Sequence, residues 1–332
     1  MIWLTWRQLR TQAVTVYAGL LVLAGVLALT GPRLADLYGS YGQRFLSRLT
    51  GTDEALGYLS IAAMVLLPAL IGMFWGAPLI ARELEHGTHR LVWNQSVTRG
   101  RWLAVKLGLT ELAVVAATGL LCAAVTWWFD PIDKAVNAGG GGPGLFILPR
   151  IDIAMFDARG CAPVGYAAFA FALGATLGVL IRRTVAAMAA TLTGFTVVQI
   201  AVPLWIRPHL ATTHQMILPI NASSRVAIGP GSLRLNIDKP GAWLIDQRTI
   251  DAKGHATALP SYFTRLFDSA APSDDRLRAG LGRLGADGYR QLASYQPSGN
   301  FWTLQLSETA LFLALALLLT GFCAWWTSRR LS

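Results

Sequence analysis

Two acidic residues and two histidines lie close together after the second apolar stretch of the chain. Glu83, Glu85, His86 and His89 fall within one short charged segment. Carboxylates and imidazoles are common zinc ligands, but zinc proteases place two histidines four residues apart with a glutamate between them. His86 and His89 are three residues apart with no acidic residue between them. The spacing therefore does not predict a metal site. The sequence also contains no recognisable set of nucleophile, base and acid that would predict catalysis.

A glycine-rich run, Gly139 to Gly142 followed by Pro143 and Gly144, invites comparison with phosphate-binding loops. No Lys-Ser or Lys-Thr follows it, and no other segment matches a Walker A motif. The sequence therefore predicts that this chain is not an enzyme and that it binds no cofactor itself. Any ATP, with its Mg, is expected on a partner protein.

The composition indicates an integral membrane protein. Hydrophobic residues make up 54% of the 332 residues, charged residues make up 14%, and the mean hydropathy is +0.46. Such a chain is too apolar for an ordinary soluble domain. Uncharged runs of about 20 residues predict helices that cross a bilayer. These runs are Thr11–Pro32, Tyr58–Ala81, Leu112–Phe129, Cys161–Ile181, Thr184–Ile206 and Thr309–Ser328.

Basic residues beside the span ends predict the orientation, because cytoplasmic flanks are enriched in Lys and Arg. The residues on the more basic side are Arg7, Arg10, Arg82, Arg90, Arg99, Arg101, Lys106, Arg182, Arg183, Arg329 and Arg330. We expect a multi-pass protein of the bacterial cytoplasmic membrane with both termini cytoplasmic. Much of the net charge of +10 lies beside the spans, where topology and anionic membrane lipid explain it, so no nucleic-acid partner is predicted.

Three polar residues lie in or beside the predicted spans, where polar groups are costly unless they face a partner or a wet cavity. Glu111 follows Lys106 in the third span, Gln199 lies midway along the fifth, and Glu308 begins the sixth. All three are candidate residues of a transport pathway. Alternatively, Glu111 forms an ion pair near the interface, and Glu308 is a helix N-terminal carboxylate favoured by the helix dipole.

Glycines recur along the fourth predicted span, at Gly165, Gly174 and Gly178. Small residues on one face allow two membrane helices to approach closely. We interpret these glycines as a packing surface and not as the lining of a pore.

The charged segment 81–106, between the second and third spans, reads as helix, turn and helix. Gly87 suits the end of one helix, Thr88 can cap a short helix from His89 to Gln95, and Thr98 can cap the entry to the third span. We interpret it as a docking element. The alternative is a solvated loop whose charges only hold it on the cytoplasmic side.

Residues 207–305 form a segment too long for a simple connector, which predicts a small folded extracytoplasmic domain. Ser232–Ile237 and Ala242–Gln247 alternate like strands. A helix capped by Ser273 is predicted through Leu284, and a further short helix is predicted over Asp287–Tyr295. The domain either covers the outer mouth of a pathway or contacts a substrate or partner; the alternative is that it is only a stabilising cap.

Three stretches carry a resemblance to a known family. They are MIWLTWRQLRTQ at the N-terminus, RELEHGTHRLVWNQSVTRGRWLAVK between the second and third spans, and YQPSGNFWTLQLSETALFLALALLLTGFCAWWTSRR at the end. The chain resembles the membrane-spanning permease subunit of a bacterial type-2 ABC exporter. The middle stretch is the most specific of the three.

The resemblance implies an all-α membrane protein of six transmembrane helices with a cytoplasmic coupling helix and a small mixed α/β extracytoplasmic insertion between spans five and six. It implies a separate ABC ATPase subunit and a second permease copy, as a homodimer. The residues expected to dock the ATPase are Glu83, Glu85, His86, Gly87, Thr88, Arg90 and Leu91.

The predicted domain boundaries are 1–206 for spans one to five, 207–305 for the outer domain and 306–332 for span six with its tail. A reading from a different class stays open. In that reading the chain is a membrane-anchored sensor or immunity protein whose outer domain binds a ligand or partner without transport. No sequence feature names a cargo.

Overall fold

The computed structural model describes residues 2–86, 99–229, 232–236, 239–267 and 273–330. The protein is mostly helical, and six of its helical stretches are long and apolar enough to cross a membrane, which confirms the predicted multi-pass architecture. These stretches, called spans 1 to 6, are Tyr17–Arg48, Gly51–Glu85, Leu103–Asn137, Ala162–Ile181, Thr184–His209 and Ser298–Thr327.

Most helices extend beyond the predicted apolar runs. The helices are Ile2–Tyr41 in span 1, Gly51–Ile71 and Ala77–Glu85 in span 2, Arg99–Asn137 in span 3, Ala162–Ile181 in span 4, Thr184–Ala201 in span 5 and Phe301–Arg330 in span 6. A short helix, Ile153–Phe156, precedes span 4. Asp152 caps it by accepting a hydrogen bond from the amide of Ala154.

Span 4 lies at the centre of the bundle. In its apolar stretch of 18 residues, 72% is buried inside the protein, against 17% in the corresponding stretches of spans 1 and 6. A Cβ on Gly174 would lie 2.7 Å from the amide nitrogen of Ala77, and one on Gly178 would lie 2.5 Å from the carbonyl oxygen of the same residue. A Cβ on Gly165 would lie 3.1 Å from the carbonyl oxygen of Thr309. The interpretation of these glycines as a packing surface is confirmed.

Span 2 contains a π-helical turn, Gly72–Gly76, shortly after Pro68. Proline inside a helix removes one backbone hydrogen bond, and π-helical turns mark bends in otherwise regular helices. The turn lies directly on span 4. A Cβ on Gly72 would lie 2.6 Å from the carbonyl oxygen of Ala170, and one on Gly76 would lie 2.5 Å from that of Phe171. Only glycine fits at both positions.

The bundle has two ends that are named here by what they carry. At the turn end, span 4 stops at Ile181 and span 5 starts at Thr184, so only Arg182 and Arg183 connect them. Arg182 has φ 57°, in the left-handed region, which costs a non-glycine residue about 1–2 kcal/mol. At the sheet end, the chain leaves span 5 and returns to span 6 through a small sheet domain.

The sheet domain contains a three-stranded antiparallel sheet of order β1-β5-β4 and a hairpin of β2 and β3. The strands are His214–Pro219 (β1), Val226–Gly229 (β2), Ser232–Leu235 (β3), Trp243–Ile250 (β4) and Arg290–Gln296 (β5). Two further helices, Ser261–Thr264 and Asp274–Ala286, complete it. The predicted strands near 232 and 242 and the helix after Ser273 are confirmed. The side of the membrane on which this domain lies stays a prediction.

The prediction of a helix over Asp287–Tyr295 is wrong, because most of that stretch is the central strand β5. Its inward-facing positions include Gln291 and Ala293, both fully buried. The Gln291 side chain donates to Thr249 Oγ1 over 2.8 Å, which offsets the cost of burying the amide. A strand whose inward residues are polar or small shows no alternation of large apolar residues in the sequence.

Candidate functional site: polar junctions at the two ends of the bundle

A buried arginine organises the sheet end of the bundle. Arg207 lies near the end of span 5, and its side chain is 0% exposed. Its Nε donates to Glu308 Oε2 over 2.8 Å, and its Nη2 donates to Glu308 Oε1 over 2.9 Å and to Asp157 Oδ1 over 2.5 Å. The guanidinium also lies 4.0 Å from the ring centroid of Phe156. One cation thus pairs with two carboxylates, of which Glu308 is 1% and Asp157 is 13% exposed.

Two further side chains complete this set, which we call the Arg207 network: Asp157, Tyr166, Gln199, Arg207 and Glu308. The hydroxyl of Tyr166 lies 2.6 Å from Glu308 Oε1 and 3.0 Å from Asp157 Oδ1, and it accepts from Arg207 Nη2 over 3.2 Å. The amide of Gln199 donates to Asp157 Oδ2 over 2.8 Å. Every member therefore bonds to at least one other, which a buried polar group requires.

The network joins four separate parts of the chain. Asp157 follows the short helix before span 4, Tyr166 lies in span 4, Gln199 and Arg207 come from span 5, and Glu308 comes from span 6. These segments are brought together at the point where spans 5 and 6 lead into the sheet domain. Any separation of spans 4, 5 and 6 at this end must break buried ionic hydrogen bonds.

A second buried side chain reinforces the same end. Gln305 is 0% exposed, and its Oε1 accepts from the amides of Cys161 and Ala162 over 2.9 Å and 2.6 Å. Its Nε2 donates to the carbonyl of Phe156 over 3.1 Å. The first amides of a helix have no partner within the helix, so span 6 supplies the N-terminal cap of span 4.

The chemistry that this end offers is charge pairing and hydrogen bonding. In the parts of the chain that the structure describes, no three His, Cys, Asp or Glu side chains are placed to hold a metal ion. Removing one partner of a buried ion pair typically costs about 3–5 kcal/mol, because the other charge stays buried. The network is therefore a strong mechanical joint.

Acidic residues also join the spans at the turn end. Lys106 of span 3 is 4% exposed and its Nζ pairs with Glu83 Oε1 of span 2. Glu85, at the last position of the span 2 helix, accepts from the amide of Thr184 over 3.0 Å and from its hydroxyl over 2.6 Å. Both oxygen contacts of Glu85 fall on the first residue of span 5. Spans 2, 3 and 5 are thus connected through two carboxylates.

Comparison with known families matches residues 17–207 to the family described as ABC-2 membrane transporter related. The match covers more than half of the chain. The chain belongs to this family. No curated protein and no solved structure matches the chain. The ABC-2 match takes in spans 1 to 5, the segment between spans 2 and 3, and four of the five members of the Arg207 network. It identifies the protein as a permease-like membrane component.

Two of the three polar residues that the sequence singled out meet in this ABC-2 membrane protein. Gln199 and Glu308 belong to the same network, although neither bonds directly to the other. Glu111 lies one and a half turns after Lys106 in the span 3 helix and is not a member of the Arg207 network. Its Oε2 is buried and makes no hydrogen bond within the described residues. The ion pair considered for Glu111 is not among the described contacts.

The alternative reading of Glu308 as a helix-terminal carboxylate needs correction. The span 6 helix begins at Phe301, so Glu308 lies two turns inside it and pairs with Arg207. Sequence reasoning missed Arg207 because it was counted as the first residue of the outer loop. Two signals could have found it. A carboxylate at the start of one span requires a cation as its partner, and Arg207 lies at the end of the neighbouring span.

The predicted docking residues divide into two groups. Glu83, Glu85 and His86 are described, and each contacts another residue of this chain; His86 Nδ1, for example, lies 2.8 Å from the carbonyl oxygen of Arg82. The others, Gly87, Thr88, Arg90 and Leu91, lie outside the described residues. Docking of an ATPase on this segment stays a prediction.

Proposed function

We propose that this chain is the membrane-spanning permease subunit of an ATP-driven ABC exporter in the bacterial cytoplasmic membrane, with both termini cytoplasmic. The observation that carries the proposal is the ABC-2 family match over spans 1 to 5. Six membrane-capable helices of the expected order support it. In this proposal the turn end faces the cytoplasm and the sheet domain lies outside.

The ATP is hydrolysed on a separate ATPase subunit, which also binds the Mg, since no Walker A motif is present in this sequence. That subunit docks on the segment around residues 83–91. A second copy of this chain completes the pathway as a homodimer. Glu111 is the predicted pathway residue whose carboxylate oxygen lacks a described partner, and Gln199 and Glu308 act through the Arg207 network.

The contacts at the turn end support this mode of coupling. The docking segment 81–106 includes the last residues of the span 2 helix, which ends at Glu85. It also includes the first residues of the span 3 helix, which begins at Arg99. Span 3 is tied back to span 2 by the Lys106–Glu83 pair. Force applied to the segment therefore reaches both spans together. A docked element can shift a membrane protein between states only through such differential contacts.

The test is purification of the tagged full-length protein from its native membrane in mild detergent. Co-purifying chains are identified by mass spectrometry, and vanadate-sensitive ATPase activity is measured. We expect an ABC ATPase with the wild-type protein, and its loss in Arg90→Glu and Leu91→Asp. The matched control is Arg44→Glu, a charge reversal at an exposed residue at the sheet end, which should retain the ATPase.

A wild-type preparation without any ATPase in several mild detergents would overturn the proposal. It would favour the reading as a membrane-anchored sensor or immunity protein. Retention of the ATPase by both segment variants would keep the permease and remove the docking site.

A further inference from the structure

We infer that Glu85 is a positioning residue that fastens the start of span 5 to the end of span 2, so that span 5 follows span 2 when the ATPase acts. The inference rests on the proposed function and deepens it. It gives Glu85 a role within the chain, whereas the sequence predicted a contact with the ATPase.

The contact is an N-terminal cap supplied from a distance. A helix is usually capped by the residue just before it. That residue in span 5, Arg183, makes no side-chain cap hydrogen bond. Glu85, which is 99 residues away in sequence, takes this role. It accepts hydrogen bonds from both the amide and the hydroxyl of Thr184. A carboxylate at this position is also favoured by the helix dipole.

Span 2 shows what a local cap looks like in the same protein. Thr50 and Asp53 form a capping box within one turn of chain. Its hydrogen bonds lie within one helix, although Asp53 also pairs with Arg33 of span 1. The cap by Glu85 makes the start of span 5 depend on the position of span 2, and this dependence is what transmission of movement requires.

The part of span 2 that carries Glu85 is built to move as a unit. Ala77–Glu85 is a short helix between the π-helical turn Gly72–Gly76 and the docking segment. Along one side it lies on Gly174 and Gly178 of span 4, where the two backbones approach closely. A bend at the π-helical turn would displace Glu85, and with it the amide and hydroxyl that Glu85 holds.

The far side of the contact is equally direct. Thr184 follows a connection of only two residues after span 4, and Arg182 in that connection is held in the left-handed region. So short a connection cannot absorb a large displacement by uncoiling. Movement of Thr184 is therefore passed into span 5 and towards the Arg207 network at its other end.

Four variants separate this role from docking. Glu85→Ala removes the cap, and Glu85→Gln keeps a carbonyl oxygen that can accept both hydrogen bonds. Thr184→Val removes the hydroxyl donor and keeps the amide. Arg82→Ala truncates an exposed residue on the same helix turn and serves as the control.

The first measurement is thermal unfolding of the full-length protein in detergent. In a double-mutant cycle, the unfolding shifts of Glu85→Ala and Thr184→Val should be non-additive, because both remove the hydrogen bond between the Thr184 hydroxyl and Glu85. Additive shifts would overturn the inference. This step needs no ATPase, so it tests the contact even if the proposed function fails.

The second measurement is hydrogen–deuterium exchange of peptides covering residues 182–190 in the complex with its co-purified ATPase, with and without ATP and vanadate. In Glu85→Ala the amides at the start of span 5 should exchange about fivefold faster, as expected for loss of a cap. The ATPase should remain bound, and the response to ATP and vanadate seen in the wild type should be lost. Glu85→Gln and Arg82→Ala should keep it.

Three outcomes contradict the inference. If Glu85→Ala and Glu85→Gln both release the ATPase, the carboxylate docks the partner and its charge is what matters. If Glu85→Ala responds to ATP like the wild type, span 5 is driven by another route. If the wild type carries no ATPase, the proposed function fails, and non-additive unfolding then means that the contact is structural only.

Discussion

The two ends of span 5 are held in opposite ways. At the sheet end, Arg207 is fully buried and pairs with two carboxylates from different segments. At the turn end, Thr184 is held by one carboxylate at an exposed helix end. Buried ionic contacts are expensive to break, whereas exposed ones are weak and screened by salt. The difference agrees with the proposed movement, in which span 5 pivots at the sheet end and is moved from the turn end.

The caps of spans 4 and 5 show the same contrast. Both helices are capped by side chains from far away in sequence, Gln305 for span 4 and Glu85 for span 5. Gln305 is sealed inside the bundle, while Glu85 is exposed. The same kind of cap is therefore buried at one end of the bundle and exposed to solvent at the other.

The largest effect is expected when the cation of the buried joint is removed. Arg207→Met leaves Asp157 and Glu308 buried together without their shared partner. We expect the free energy of unfolding in detergent to fall by about 3–5 kcal/mol. Denaturant titration followed by tryptophan fluorescence measures this.

The control is Arg44→Met, at an exposed residue of the same end, which should change the free energy of unfolding by less than about 0.5 kcal/mol. If Arg207→Met and Arg44→Met were equally stable, the sheet end would be no firmer than the turn end, and the pivot would have to lie elsewhere.

A smaller effect is expected at the junction between spans 2 and 3. Lys106→Met removes the cation paired with Glu83, whose side chain keeps 16% exposure. Partial access to solvent lowers the penalty, so we expect a loss of about 2–3 kcal/mol, between the values for exposed and fully buried pairs. Lys134→Met, which disrupts an exposed pair with Asp130, should cost less than about 1 kcal/mol. Equal losses in the two variants would mean that burial does not set the strength of these pairs.

The smallest effect on stability is expected where span 2 lies on span 4. In Gly174→Ala the new Cβ meets the backbone of span 2, with Ala77 N at 2.7 Å, so the helices must separate slightly at a cost of about 1–2 kcal/mol. Gly119→Ala places a Cβ in open space and should be neutral or slightly stabilising. Equal melting temperatures for the two variants would contradict a close fit beside the π-helical turn.

The spans could be predicted from the sequence because length and apolarity alone decide whether a helix can cross a bilayer. Their true ends could not. The span 6 helix starts at Phe301, eight residues before the predicted run, because polar residues such as Gln305 and Glu308 find buried partners on other spans. A prediction from the hydropathy of each residue alone assigns these polar residues to a loop.

The candidate site was predicted only in part for the same reason. Glu308 and Gln199 were found because polar groups inside spans are unusual. Arg207, Asp157 and Tyr166 were missed because each looks ordinary in its own stretch of sequence. Their roles come largely from distant contacts, such as those of Tyr166 with Arg207 and Glu308, which are 41 and 142 residues away. Close packing by the span 4 glycines was predictable, since the absence of a side chain is itself a local property.

The two-residue connection between spans 4 and 5 also bears on how the protein is made. With only Arg182 and Arg183 between them, neither helix can enter the bilayer while the other waits outside. We expect the pair to be inserted as a hairpin during synthesis, and in the proposed orientation the two arginines hold its tip on the cytoplasmic side. Span 4, the most buried helix of the bundle, therefore enters the membrane together with span 5.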